Sequence, residues 1–139
     1  MINKKICVVG AGYWGENHIK NLKKLGVLRG IVEIDENLLQ KYINEDPSIK
    51  GYANINVALK DDFDGFIVAT PAETHFEIAK NIIKKSKPLL VEKPMALSVD
   101  EAGELVNLAK IYNVNLMVGH VMLFHPAINK IKEMITKGK

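Results

Sequence analysis

Five short apolar runs divide this chain: Ile6-Cys7-Val8-Val9, Gly30-Ile31-Val32-Glu33-Ile34, Phe66-Ile67-Val68-Ala69, Pro88-Leu89-Leu90-Val91 and Asn115-Leu116-Met117-Val118. Between them the apolar positions fall at helical spacing. Residues 19, 22 and 25 share one face after the first run, and Glu36 to Asn44 forms a short helix that Asp46-Pro47 stops. A further helix spans about Thr74 to Lys85, and Ser98 opens another to about Tyr112, with Glu101 completing a capping box. The pattern is weaker over Lys50-Gly51-Tyr52, a short strand at best, and over Ile55 to Lys60, one or two helical turns. Gly119 to His125 crosses to a last amphipathic helix that starts at Pro126 and carries Ile128, Ile131 and Ile135.

Strands that are unbroken apolar runs, alternating with helices, predict an α/β fold with a doubly wound parallel sheet buried on both faces. In such sheets ligands lie beyond the carboxyl ends of the strands. That rule gathers Gly10–Gly15, Asp35, Thr70–His75, Glu92–Pro94 and Gly119–His120 around one crevice.

The first of these groups is the most informative. Gly10, Gly12 and Gly15 form a G-x-G-x-x-G pattern between a predicted strand and a predicted helix, the setting that dinucleotide binding requires. Gly10 allows the tight turn, Gly12 the approach of a pyrophosphate, and Gly15 close helix packing. Asp35 follows Gly15 by twenty residues, where a carboxylate accepts hydrogen bonds from the adenosine ribose. Its other reading is structural, as the start of the turn into the next helix.

Composition narrows the classes. The chain has 139 residues, 47% hydrophobic and 25% charged, which is one ordinary domain. Its net charge of +3 comes from lysines mixed with acids, and Arg29 is its one arginine; no basic stripe for nucleic acid results. No apolar run is long enough to span a bilayer and no signal-peptide core opens the chain, so a cytoplasmic location is expected. The single Cys7 is expected to be buried and inert, and no cluster has metal-ligand spacing, so no metal is expected.

The segments VVGAGYWG, ATPAETH, VEKP and VGHVMLFHPA together resemble the amino-terminal half of the Gfo/Idh/MocA (glucose–fructose oxidoreductase/inositol dehydrogenase) family over essentially the whole chain. The Y-W-G loop and the G-H-x-x-x-x-H-P-A segment are most similar to members that oxidise nucleotide-linked amino sugars, such as UDP-N-acetylglucosamine 3-dehydrogenases. The resemblance implies a Rossmann fold, residues 1–125, that binds a nicotinamide dinucleotide; Asp35 with Glu36 beside it, and no arginine after the second strand, predicts NAD in preference to NADP, whose 2′-phosphate they repel. It implies that Gly10, Gly12, Tyr13, Trp14 and Gly15 wrap the pyrophosphate, Asp35 holds the adenosine ribose, and Thr70, Pro71 and His75 line the far half. Glu92 is implied to reach the nicotinamide ribose and Lys93 to stand beside the reactive ring, before a cis bond to Pro94.

Members of that family carry a second α/β domain with a sugar site and a proton-accepting His. Here residues 126–139 form only a helix leading towards such a domain, which is expected to be absent, and negligible turnover by the chain alone follows. Lys93 and His120 are the catalytic candidates, His120 for substrate contact; His18 reads as a helix-face residue or an acid–base group, and His75 as a loop anchor or a site group. The expected substrate is a sugar or nucleotide-sugar, and the alternative is a non-catalytic dinucleotide-binding module acting with another chain. The last helix, left uncovered, predicts a homo-oligomer, with folding back onto its own sheet as the alternative.

Overall fold

Six strands form one all-parallel sheet: β1 (Ile6–Val9), β2 (Leu28–Val32), β3 (Lys50–Tyr52), β4 (Gly65–Val68), β5 (Leu89–Val91) and β6 (Leu116–Val118). Their order is β3-β2-β1-β4-β5-β6 in the computed structural model, which describes residues 4–138. The first three residues and Lys139, which the expected domain limits include, lie outside the described residues. Helices join the strands: α1 (Tyr13–Lys24), α2 (Glu36–Glu45), the single turn α3 (Ile55–Ala58), α4 (Ala72–Lys84) and α5 (Val99–Ile111). A 3-10 turn over Val121–Phe124 then leads to α6 (Pro126–Thr136).

The period of two along each strand sends alternate residues to opposite faces, and each face builds its own core. Val8 and Ile31 pack with Ile19 and Leu22 of α1 and with Leu39 and Tyr42 of α2. Cys7, Val9, Phe66, Val68 and Val91 pack with Ala79, Ile82 and Ile83 of α4 and with Leu105 of α5. Truncating a fully buried residue such as Leu105 to Ala costs about 2–5 kcal/mol. β1 lies between β2, reached through α1, and β4, reached only after α2, β3 and α3. The chain therefore reverses direction across the sheet at β1/β4, and the crevice opens there.

Local boundaries differ from the sequence reading in instructive ways. α4 begins at Ala72 rather than Thr74, because Pro71 is its N-cap and the Pro71 carbonyl already accepts the Thr74 N–H at 2.9 Å. The Ser98 hydroxyl accepts the Glu101 N–H at 3.2 Å, as a capping box requires, but the Glu101 carboxylate reaches the N–H of Leu97 instead of Ser98.

α6 does not fold back onto the sheet. It packs chiefly against the 3-10 turn and buries none of its residues, so Ile131, Met134 and Ile135 face outward. Among the described residues no helix is long and apolar enough to cross a membrane.

Candidate functional site

β1 ends in Gly10, whose φ of +89° turns the chain in a conformation that L side chains rarely adopt. A Cβ at Gly10 would meet the Ala69 carbonyl oxygen at 2.8 Å, and one at Gly15 would overlap the Gly10 carbonyl oxygen at 1.9 Å. The protein itself requires glycine at both positions. Gly12 is different: a Cβ there meets nothing within 4 Å, and its φ of −65° suits any residue. The fold makes no steric demand for glycine at 12. Gly12 is also the N-cap of α1 and supplies no side-chain acceptor for the first-turn N–H groups of that helix.

The carboxylate bonded to this turn is that of Glu33. Asp35 is the N-cap of α2: Oδ1 accepts from the N–H groups of Asn37 and Leu38 at 2.9 and 3.1 Å. Glu33 stands at the tip of β2, where Oε2 accepts the Ala11 N–H at 2.7 Å and Oε1 accepts those of Ile34 and Asp35 at 2.8 and 3.1 Å. Three donors hold the carboxylate against the glycine turn. Sequence reasoning passed over Glu33 because Ile34 prolonged the apolar run; the usable signal is that Glu33 is the first carboxylate after the buried residues.

Glu33, Gly12, Thr70 and Pro71 line a cleft of about 670 Å³ whose apolar walls are Ile34, Leu38, Ile55 and Ile78. Asp35 also lies on its rim. Across the cleft, Thr74 Oγ1 lies 2.7 Å from Thr70 Oγ1 and 2.8 Å from the Pro71 carbonyl, which fixes the turn between β4 and α4. Tyr13 and Trp14 stand outside on the first turn of α1, 81% and 46% exposed, with their rings edge to face at 5.7 Å.

The remaining candidates cluster after β5. Glu92 is buried; Oε1 lies 2.7 Å from His18 Nε2 on α1, and Oε2 accepts the Lys93 N–H at 3.3 Å. The structure thus gives Glu92 a protein partner, and gives His18 a role that helix periodicity did not show. The bond between Lys93 and Pro94 is cis, and the Lys93 side chain is exposed. His75 is 1% exposed; its Nδ1 lies 2.8 Å from the Pro94 carbonyl oxygen and its Nε2 2.8 Å from that of Thr70. A carbonyl only accepts, so a neutral ring satisfies one of these contacts and a doubly protonated ring both.

His120, just past β6, is exposed and its ring has no hydrogen bond among the described residues. His125 caps α6 through Nδ1, which accepts the Ala127 N–H at 3.2 Å. Cys7 is fully buried, and burial, reinforced by Asp61, pushes its thiol well above the usual range and away from the reactive thiolate.

This architecture is shared with known proteins. The chain is 28% identical over 134 residues to UDP-N-acetylglucosamine 3-dehydrogenase of Acidithiobacillus ferrooxidans, covering 96% of this chain and 42% of that protein. It is 31% identical to glucose-6-phosphate 3-dehydrogenase of Bacillus subtilis, covering 98% of this chain and 39% of that protein. The crystal structure of GenD2 from gentamicin A biosynthesis, in complex with NAD, superposes with a TM-score of 0.87 at 30% identity, over 96% of this chain and 39% of that one. The chain spans about two-fifths of the length of these relatives. Residues 4–120 match the Gfo/Idh/MocA oxidoreductase family, NAD-binding Rossmann fold, and the chain belongs to that family.

Proposed function

We propose that this domain holds NAD in the cleft between β2 and β4 and presents Lys93 at the nicotinamide end, as the cofactor half of a sugar or nucleotide-sugar dehydrogenase. The carrying observation is Gly12, which the protein does not require to be glycine, beside a helix N-terminus without a side-chain cap. The first-turn N–H groups of α1 take the pyrophosphate. Glu33, already ordered by three N–H groups, accepts from the adenosine ribose hydroxyls, and Ile34, Leu38, Ile55 and Ile78 enclose the base. Thr70 and Pro71 line the other wall.

The bound cofactor supplies the hydride acceptor. Lys93 orients the substrate hydroxyl through its ammonium group, and His120 contacts the substrate from the tip of β6. The similarity to sugar-phosphate and nucleotide-sugar dehydrogenases supports that substrate class. On this reading residues 1–125 are the cofactor domain, α6 leads towards a substrate domain, and the protein works in the cytoplasm.

Calorimetric titration of the 139-residue chain with NAD and with ADP-ribose tests the proposal. Saturable one-to-one binding of both is expected, and absence of binding by either refutes it.

A further inference from the structure

Lys93 itself has no side-chain partner among the described residues, yet the residues on either side of it are held by histidines from two different helices. From α1, His18 grips the Glu92 carboxylate at 2.7 Å; from α4, the His75 ring is wedged between two carbonyl oxygens, Nδ1 2.8 Å from that of Pro94 and Nε2 2.8 Å from that of Thr70, and it donates to Pro94 in the tautomer that carries its proton on Nδ1. The enclosure has a third wall. A Cβ at Gly119 would stand 2.9–3.1 Å from the Glu92 carboxyl atoms, so the tip of β6 presses directly on that carboxylate. Glu92 in turn accepts the Lys93 N–H.

We infer that His18 and His75 are positioning residues that together clamp the root of the Lys93 side chain. A lysine carries large rotamer entropy, and an exposed one with no bonded partner cannot be fixed at its tip. The fold can fix only where its stem begins. Anchoring the preceding side chain to the helix that carries the phosphate turn, and the following carbonyl to the helix beside Thr70, sets the Cα of Lys93 relative to both halves of the cleft. Each anchor reaches the β5–α5 loop from a different side of the sheet, so loss of one leaves the loop free to pivot about the other. The ammonium then samples a wider volume, and its effective concentration at the crevice falls.

This inference rests on the reading that Lys93 faces the nicotinamide, and that reading supplies a measurable sign. An ammonium beside the ring disfavours the positively charged oxidised nicotinamide and tolerates the neutral reduced one. The wild-type chain should therefore bind NADH more tightly than NAD, and Lys93→Ala should reduce that ratio about fivefold, the scale of a partly screened charge contact. His18→Ala and His75→Ala should each reduce the same ratio by about twofold to threefold, leave ADP-ribose affinity unchanged within about twofold, and add nothing in a Lys93→Ala background. His18→Gln, whose amide can still donate to Glu92, should restore much of the ratio.

The histidine variants overturn the clamp if they weaken NAD, NADH and ADP-ribose equally, or if their effect on the ratio survives in Lys93→Ala. If Lys93→Ala leaves the ratio unchanged, Lys93 does not face the nicotinamide and the clamp falls with that reading. If Lys93→Ala changes the ratio and the histidine variants do not, the clamp alone fails. His75 is nearly fully buried, so where its alanine variant does not fold, His18→Ala at the 20%-exposed side chain decides the matter with a melting curve beside it.

Discussion

The Glu33 carboxylate accepts the backbone N–H of Ala11 at 2.7 Å, across 22 residues of sequence. That bond joins the tip of β2 to the glycine turn after β1, so the part of the crevice that would meet a ribose and the part that would meet a pyrophosphate are ordered together.

The two neighbouring acids should therefore separate by experiment. Glu33→Ala should weaken NAD binding by about tenfold or more, the scale of hydrogen bonds to a charged group. It should also narrow the preference for NAD over NADP, since the Glu33 carboxylate repels a 2′-phosphate. Asp35→Ala should leave NAD affinity within about threefold and instead cost about 1 kcal/mol of stability through loss of the α2 cap. Paired calorimetry with both cofactors and urea unfolding of each variant check this; a larger affinity loss in Asp35→Ala than in Glu33→Ala reverses the assignment.

Gly12 and Gly15 should part in the opposite sense. Gly12→Val adds a Cβ in open space but replaces glycine at an N-cap, so the domain should lose only about 1 kcal/mol while NAD binding falls below detection. Gly15→Ala drives a Cβ into the Gly10 carbonyl, a backbone atom with nowhere to go, and should destabilise the domain by several kcal/mol, beyond the roughly 1–3 kcal/mol of ordinary overpacking. Melting curves with and without NAD distinguish the two. NAD binding by Gly12→Val at wild-type affinity would place the pyrophosphate elsewhere.

The parallel sheet and its layering were legible because β1, β4 and β5 are apolar on both faces, the pattern of a sheet covered on both sides. The glycine turn was legible for the same local reason. Glu33 was harder to see because Ile34 looks like the last strand residue, whereas it is 85% exposed and lies beyond the tip of β2. Apolarity alone does not report burial. The histidine contacts were out of reach for another reason. His18 finds its partner 74 residues away, and His75 bonds backbone carbonyls, which every residue has and no sequence pattern marks.

Acid should loosen the β3 edge of the sheet. The Tyr52 hydroxyl, and after it Lys50, hold the Asp61 carboxyl below the usual carboxylate range, while burial and the same contact push the Tyr52 hydroxyl up. A carboxylate depressed in the folded state contributes stability above its unfolded pKa, near about pH 4, and loses it as pH falls through the folded value. Urea midpoints should therefore drop as pH falls below about 4, and Asp61→Asn should flatten that part of the profile while lowering the neutral-pH midpoint. An identical acid slope in wild type and Asp61→Asn would assign the loss to other carboxylates.

The last prediction concerns α6. The helix is a well-formed one, with Pro126 at its first position and the His125 ring accepting the Ala127 N–H, yet none of its residues is buried. Ile131, Met134 and Ile135 are 51%, 44% and 71% exposed, and Met122, Leu123 and Phe124 of the adjoining 3-10 turn extend the same apolar surface. Monomers seldom leave contiguous apolar patches of more than about 300–600 Å² uncovered. Covering about 400 Å² at ~25 cal/mol per Å² contributes roughly 10 kcal/mol before the costs of association, a driving force towards a two-fold dimer. The two core layers of the sheet make no use of α6, so a chain ending at Phe124 should melt within about 3 °C of the intact chain. Light scattering at tens of micromolar should then show a dimer for the intact chain and a monomer for the shortened one. A monomer in both cases means that α6 is not a self-association surface, and a large drop in melting temperature means that it packs on the sheet after all.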